Sequence, residues 1–144
     1  IAAVLAAQTM LHPAVVPDTG PFQGFTANWS GNAPALGSGR RAAAVGFYLA
    51  LMTESCLDLI GHAGPVYVEG PFAQNDCFLT MLASATMTDV FAMPGATGTS
   101  QGAALLVTGL PSRAKPLDAR KATPSPDLSA YANAWRKALP TLAG

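Results

Sequence analysis

Apolar residues recur at intervals of three and four along residues 39–60: Val45, Tyr48, Leu49, Met52, Cys56, Leu59 and Ile60. That period predicts one long helix. Ala42, Ala43, Ala44, Phe47, Ala50 and Leu51 make most of its other side apolar too, which predicts burial on both faces. After Gly61-His62-Ala63-Gly64 the period shortens. Residues 65–69 (Pro-Val-Tyr-Val-Glu) are rich in β-branched and aromatic side chains and predict a strand, stopped by Gly70-Pro71. Asn75-Asp76 then reads as the cap of a second helix with Cys77, Phe78, Met81, Leu82 and Ala85 inside. A short strand follows at Val90–Met93, a turn at Pro94-Gly95, and a third helix over 102–109, opened by Thr97, Thr99 and Ser100. Strand, helix, strand, helix is an α/β layer pattern.

The flanks are less regular. Residues 1–11 contain good helix formers and predict a helix. Pro13, Pro17, Gly20 and Pro21 break it into a loop, and Phe22, Phe25 and Trp29 suit a short strand or hairpin edge. Residues 110–126 read as a polar connector carrying Arg113, Lys115, Arg120 and Lys121, half of the eight basic residues. A solvated loop is the simpler reading, and contact with an acid or phosphate the sharper one. The last helix has Ser125 as N-cap, Pro126 at its first position and a stripe of Leu128, Tyr131, Ala132, Trp135 and Leu139.

Composition narrows the picture. The 144 residues are 50% hydrophobic and 11% charged, with a formal net charge of zero. Globular domains usually carry about 25% charged residues. The deficit predicts either that the chain is mostly core or that much of its surface is covered by another part of a larger protein. The helical start without an N-cap points the same way, to a fragment of a longer chain. Zero net charge argues against nucleic acid as partner. The near-apolar run 42–52 is too short for a bilayer, which needs about 20 residues, so no membrane partner and a cytoplasmic setting are expected. Cys56 and Cys77 are expected as reduced, buried apolar residues.

Few side chains suggest chemistry by themselves. Glu54 and Asp58, four apart, would share a helix face as an acid/base couple or metal ligands, yet no third ligand stands at the right spacing, and a solvated or partner-facing edge is expected. His12 and His62 lack neighbouring ligands. Residues 98–102 loosely fit a Gly-x-Ser-x-Gly elbow around Ser100, but no histidine follows, so a hydrolase triad in that order is unavailable. There remains the junction Val68-Glu69-Gly70-Pro71-Phe72-Ala73-Gln74-Asn75. Ligands of α/β folds bind at the carboxyl ends of strands, where a glycine admits close approach and a helix begins.

The order of these features resembles the C-terminal part of the FGGY family of carbohydrate kinases. The resemblance rests on Gly20-Pro21-Phe22, on Arg41-Ala42-Ala43-Ala44-Val45 opening the long helix, and on Val68 to Asn75. It continues through Asp89-Val90 to the run Thr99-Ser100-Gln101-Gly102-Ala103-Ala104-Leu105-Leu106. It covers residues 10–110. It implies part of a ribonuclease H-like, actin-like ATPase domain, a sheet with packed helices, with residues 1–144 forming the later part of the second kinase domain. It further implies an ATP-dependent transfer of the γ-phosphoryl group to a sugar or polyol, with ATP and Mg2+ bound by the parent protein. The implied partners are that substrate and the remainder of the kinase, with room for a homodimer. Gly70, Pro71, Phe72 and Asn75 then border the adenine pocket, Pro71 replacing a second glycine and removing one N–H donor. The family's catalytic Asp and phosphate loops lie upstream, so no catalytic or metal-binding residue falls in this chain, which is expected to be inert alone. Two other readings stay open: a non-enzymatic α/β binding or assembly module, and another actin-like ATPase.

Overall fold

A computed structural model describes residues 1–93, 98–109 and 119–139, with residues 98–101 as backbone alone. The long apolar period forms α2 (Gly39–Leu59), capped by Ser38, whose Oγ accepts from the Arg41 N–H at 3.2 Å. Ala43, Ala44, Phe47, Ala50 and Leu51 on its inner face are buried. They meet α3 (Asp76–Thr86), which contributes Phe78, Leu79, Met81 and Leu82. Gly46 sets the separation of the two helices: a Cβ there would stand 3.4 Å from Cys77 Cβ. The second face of α2 is not buried, contrary to expectation. Val45, Leu49 and Met52 are half-buried, and Cys56, Leu59 and Ile60 are exposed. Cys77 is half-buried, so neither cysteine is the core residue expected. By length and composition α2 is apolar enough to cross a bilayer, with mean hydropathy 1.3. In this fold it is the central packing helix, with eight of its residues buried.

The predicted strands pair as expected. β3 (Val66–Glu69) and β4 (Val90–Met93) run parallel, with Val66 opposite Val90 and Glu69 opposite Met93. Their connection is a 3-10 turn over Gly70–Gln74 followed by α3, the crossover that a parallel pair requires. α2 rests on α3 more than on this sheet, and an apolar groove of about 550 Å³ lies between it and β3. Leu49, Met52 and Cys56 line one wall, Val66 and Val68 the other.

The expected polar connector is partly a strand. β5 (Arg120–Lys121) pairs antiparallel with β4. Arg120 meets Asp76 at 2.8 Å and Lys121 meets Asp89 at 2.7 Å, so these two cations are engaged within the chain. Both pairs are exposed and stabilise little, but charges on an edge strand discourage further pairing. α4 (Gly98–Thr108) begins earlier than the pattern predicted and leaves Leu106 and Val107 exposed. Pro94-Gly95, Thr97 and most of the basic connector, with Arg113 and Lys115, lie outside the described residues.

The first helix is also shorter than its composition suggests. α1 ends at Ala6, and Leu11–His12 becomes β1, paired with β2 (Asn28–Trp29). The cause is α5 (Pro126–Ala138), whose stripe captures this backbone. Tyr131 donates its hydroxyl to the Thr9 carbonyl at 2.6 Å, and Trp135 donates Nε1–H to the Leu11 carbonyl at 2.8 Å. Tertiary contacts of this kind override local helix propensity.

Candidate functional site

Parallel pairing brings the carboxyl ends of β3 and β4 side by side, and the chain leaves β3 through Gly70. Gly70 has φ +68°, a left-handed conformation that a residue with a Cβ adopts only under strain, and the space where a Cβ would point is open. Pro71 occupies the first turn of the short 3-10 helix, where its missing N–H leaves no bond unmade. Ala73 points inward and is buried. Phe72 points the other way and is 41% exposed, with its ring centroid 4.9 Å from that of the buried Phe78 and tilted by 48°. Phe72 and Phe78 also line the groove beside β3, where Glu69 adds the one carboxylate.

Asn75 ends the loop and begins α3. Its Oδ1 accepts from the Phe78 N–H at 3.1 Å, the cap that its position in the sequence predicts. Gly46 leaves room for this amide, which lies 3.8 Å from the position of a Cβ on that residue. Asn75→Ala removes the cap and is expected to cost about 1 kcal/mol. Thermal unfolding without ligand reads this directly, and an unchanged midpoint would show that the cap contributes nothing. Gly70, Pro71, Phe72 and Asn75 therefore share one compact turn.

The other candidates lie elsewhere and do not converge on it. His12 is buried, shares a 2.8 Å hydrogen bond with Ser30 Oγ and stacks near Trp135. Burial pushes its pKa below 6.5, so it stands as a neutral core residue at pH 7. His62 sits in the turn that follows α2. The side chain of Ser100 lies outside the described residues. Among the described residues no group of three His, Cys, Asp or Glu side chains is placed to hold a metal ion.

Glu54 overturns its expectation as part of a solvated edge. It is 5% exposed and accepts from Arg136 Nη2 at 2.6 Å and Nε at 3.1 Å. Burial pushes its carboxyl above the usual range, Arg136 opposes that, and the nearby Asp58 adds to it. The pair joins α2 to α5 and marks a structural tie, since Arg136 also donates to the Ala85 carbonyl at 3.0 Å. The sequence holds no local signal for it, the partners being 82 residues apart. The support of Phe72 by Phe78 was likewise missed. Phe78 reads simply as an inward position of α3, and its reach across the cap emerges only from the tight turn.

Comparison with known proteins decides the family. Residues 1–141 match the family described as carbohydrate kinase FGGY, C-terminal domain. The chain belongs to that family. A solved carbohydrate kinase from Novosphingobium aromaticivorans is 31% identical and superposes with a TM-score of 0.78 over 94% of this chain. The match covers 29% of that kinase's length, so the chain spans under a third of this neighbour. No curated protein matches. As an FGGY carbohydrate kinase C-terminal domain, the chain has the actin-like ATPase fold, a mixed α/β arrangement of sheets and packed helices.

Proposed function

We propose that this chain is the later part of the second domain of a cytoplasmic, ATP-dependent kinase that phosphorylates a hydroxyl of a sugar or polyol. The observation that carries the reading is family membership across residues 1–141, joined to an open strand-end turn at the carboxyl edge of a parallel pair. Gly70, Pro71, Phe72 and Asn75 would form the nucleotide edge. The turn has room for a ligand at its strand end: the space where a side chain on Gly70 would point is open, and Pro71 and Phe72 that follow it are exposed.

The reaction moves the terminal phosphoryl group of ATP onto a substrate hydroxyl, and positioning and charge stabilisation supply most of its rate. The contribution of these residues is to hold the base and thereby fix where the phosphates lie. Mg2+, where bound, neutralises phosphate charge. Among the described residues no group of three His, Cys, Asp or Glu side chains is placed to hold it, and on this reading its ligands would be the phosphates and residues of the remaining kinase. The half-buried stripe Val45, Leu49 and Met52, together with the groove along β3, would be covered by that same remainder. The isolated chain is accordingly expected to be inactive.

The test uses the full-length kinase. Wild type should phosphorylate a sugar or polyol with ATP. Gly70→Val should raise the KM for ATP by about tenfold or more, since a β-branched side chain opposes the left-handed backbone and fills the approach to the loop. The KM for sugar should stay within about twofold, because Gly70 is placed at the base. Absence of phosphoryl transfer to every sugar and polyol tried would sink the kinase reading. Equal changes in both KM values would remove this turn from the nucleotide edge.

A further inference from the structure

We infer that His12 is an acid-sensitive latch: its neutral ring closes the β1–β2 hairpin onto α5, and proton uptake by that ring releases the hairpin while α3 stays folded.

The geometry around the ring carries the inference. β1 and β2 pair over two residues each, and two backbone bonds extend the pairing: Ser30 N–H to the Met10 carbonyl at 2.8 Å and Ala27 N–H to the Ala14 carbonyl at 3.1 Å. So short a hairpin is not stable by itself. Side chains close it. The His12 imidazole is 8% exposed, meets Ser30 Oγ through Nε2 at 2.8 Å, and lies parallel to the Trp135 indole with ring centroids 6.4 Å apart. Its other nitrogen, Nδ1, is buried and meets no hydrogen-bond partner among the described residues.

A neutral imidazole tolerates this setting, because the Ser30 contact survives in either tautomer, the ring donating or accepting. An imidazolium does not. It carries an N–H on both nitrogens, the one at Nδ1 has no acceptor, and a charge is then buried without a counter-ion. The charged groups of the surrounding elements do not supply one. Arg40 and Arg41 of α2 are themselves cations, bound to Thr9 Oγ1 and to the Pro34 carbonyl. On α5, Arg136 is tied to Glu54, Lys137 is exposed, and Asp127 lines a separate hollow with Leu5 and Gln8. Burial keeps the Tyr131 hydroxyl protonated, and it donates to the Thr9 carbonyl. Asp18, in the loop after β1, is exposed. The Trp135 ring stands beyond the separation of about 6 Å within which an aromatic face attracts a cation.

Burial accordingly holds the His12 pKa below 6.5 in the closed form, and exposure on opening returns it to that value. The open hairpin binds more protons than the closed one, so opening is favoured as pH falls. For one such group, opening becomes about tenfold more favourable from about pH 7.5 to about pH 5.5.

The experiment is hydrogen exchange of the Ala27 and Ser30 amides in the full-length protein across that range, each amide corrected for the pH dependence of unstructured exchange. Wild type should lose about tenfold in protection at both amides, while the amides of α3 stay better protected at every pH. His12→Phe keeps a flat ring that takes up no proton, and its protection should change by less than about twofold. His12→Gln, neutral at every pH, is the second variant of this kind. His62→Phe removes the other histidine of this chain and should keep the wild-type fall.

Wild-type protection that does not change with pH would overturn the inference. So would a tenfold fall that persists in whichever His12 variant folds, or one that disappears in His62→Phe. Protection of α3 no higher than that of Ala27 and Ser30 would overturn it too, by showing that the hairpin opens only with the whole domain. Where neither His12 variant folds, wild type and His62→Phe decide. Phosphoryl transfer enters none of these measurements, so their outcome is independent of the kinase reading.

Discussion

Trp135→Ala is expected to lower folding stability by about 4 kcal/mol, among the largest effects of any single truncation in this chain. Trp135 is 0% exposed, and it ties α5 to β1 and to the segment around Phe22, both over a hundred residues away in sequence. Its indole donates to the Leu11 carbonyl at 2.8 Å, its face stacks near His12 at 6.4 Å, and Phe22 meets it edge-on at 6.0 Å. Truncation leaves a large cavity and strands a buried carbonyl, and the two costs add. Trp135→Phe keeps most of the volume and loses the hydrogen bond, so about 1–2 kcal/mol is expected. Denaturant unfolding of the two variants separates packing from bonding. Equal costs would mean that the hydrogen bond, not the ring, holds β1 to α5. Domains are stable by about 5–15 kcal/mol in total, so the alanine variant should sit close to its limit.

How much of this was legible in the sequence differs by element. The segment from Val66 to Met93 was read closely, because strand, turn, cap and helix each carry a local cue. The β-branched residues of β3, the Gly70-Pro71 stop and the Asn75 cap act within a few residues of themselves. The stripe of α5 was readable for the same reason. The N-terminal segment was not. Its residues favour helix, and β1 exists because Tyr131 and Trp135, more than 120 residues away, donate hydrogen bonds to the Thr9 and Leu11 carbonyls. Two-residue strands such as β1 and β5 have no period to detect.

The candidate site was legible as a place but not as an arrangement. Strand end, glycine and cap located the turn. The outward ring of Phe72 and its brace could not be seen, since a 3-10 turn decides which of Phe72 and Ala73 faces the core. The second face of α2 shows the converse error. An apolar helix was taken as buried all round, yet the side bearing Leu49 and Met52 remains open beside the groove. An apolar period marks the faces suited to burial; among the described residues α3 covers one such face of α2, while the other lines the groove.

The tie between Glu54 and Arg136 should respond asymmetrically to loss of its two ends. Glu54 is buried, whereas the Arg136 side chain is 35% exposed and keeps bonds to the Ala85 carbonyl and to Asn133. Arg136→Met strands a carboxylate in the interior. Breaking a fully buried pair costs about 3–5 kcal/mol, and solvent at the arginine end reduces this to about 2 kcal/mol. Glu54→Gln removes the buried charge, leaves Arg136 hydrated and should cost under about 1 kcal/mol. The pH dependence has a definite sign. Burial already raises the Glu54 pKa above 4.5, and losing Arg136 removes the group that lowers it. A carboxyl with a raised folded-state pKa binds protons more tightly when folded, so its stabilising effect is present at low pH and is lost as pH rises through that pKa. The Arg136→Met penalty should therefore be small near pH 4 and grow toward pH 7, and Glu54→Gln placed on the Arg136→Met background should recover most of it at pH 7. Unfolding midpoints measured across that range decide the matter. A penalty independent of pH would show that Arg136 acts through its packing and its bond to Ala85, with the Glu54 charge contributing nothing.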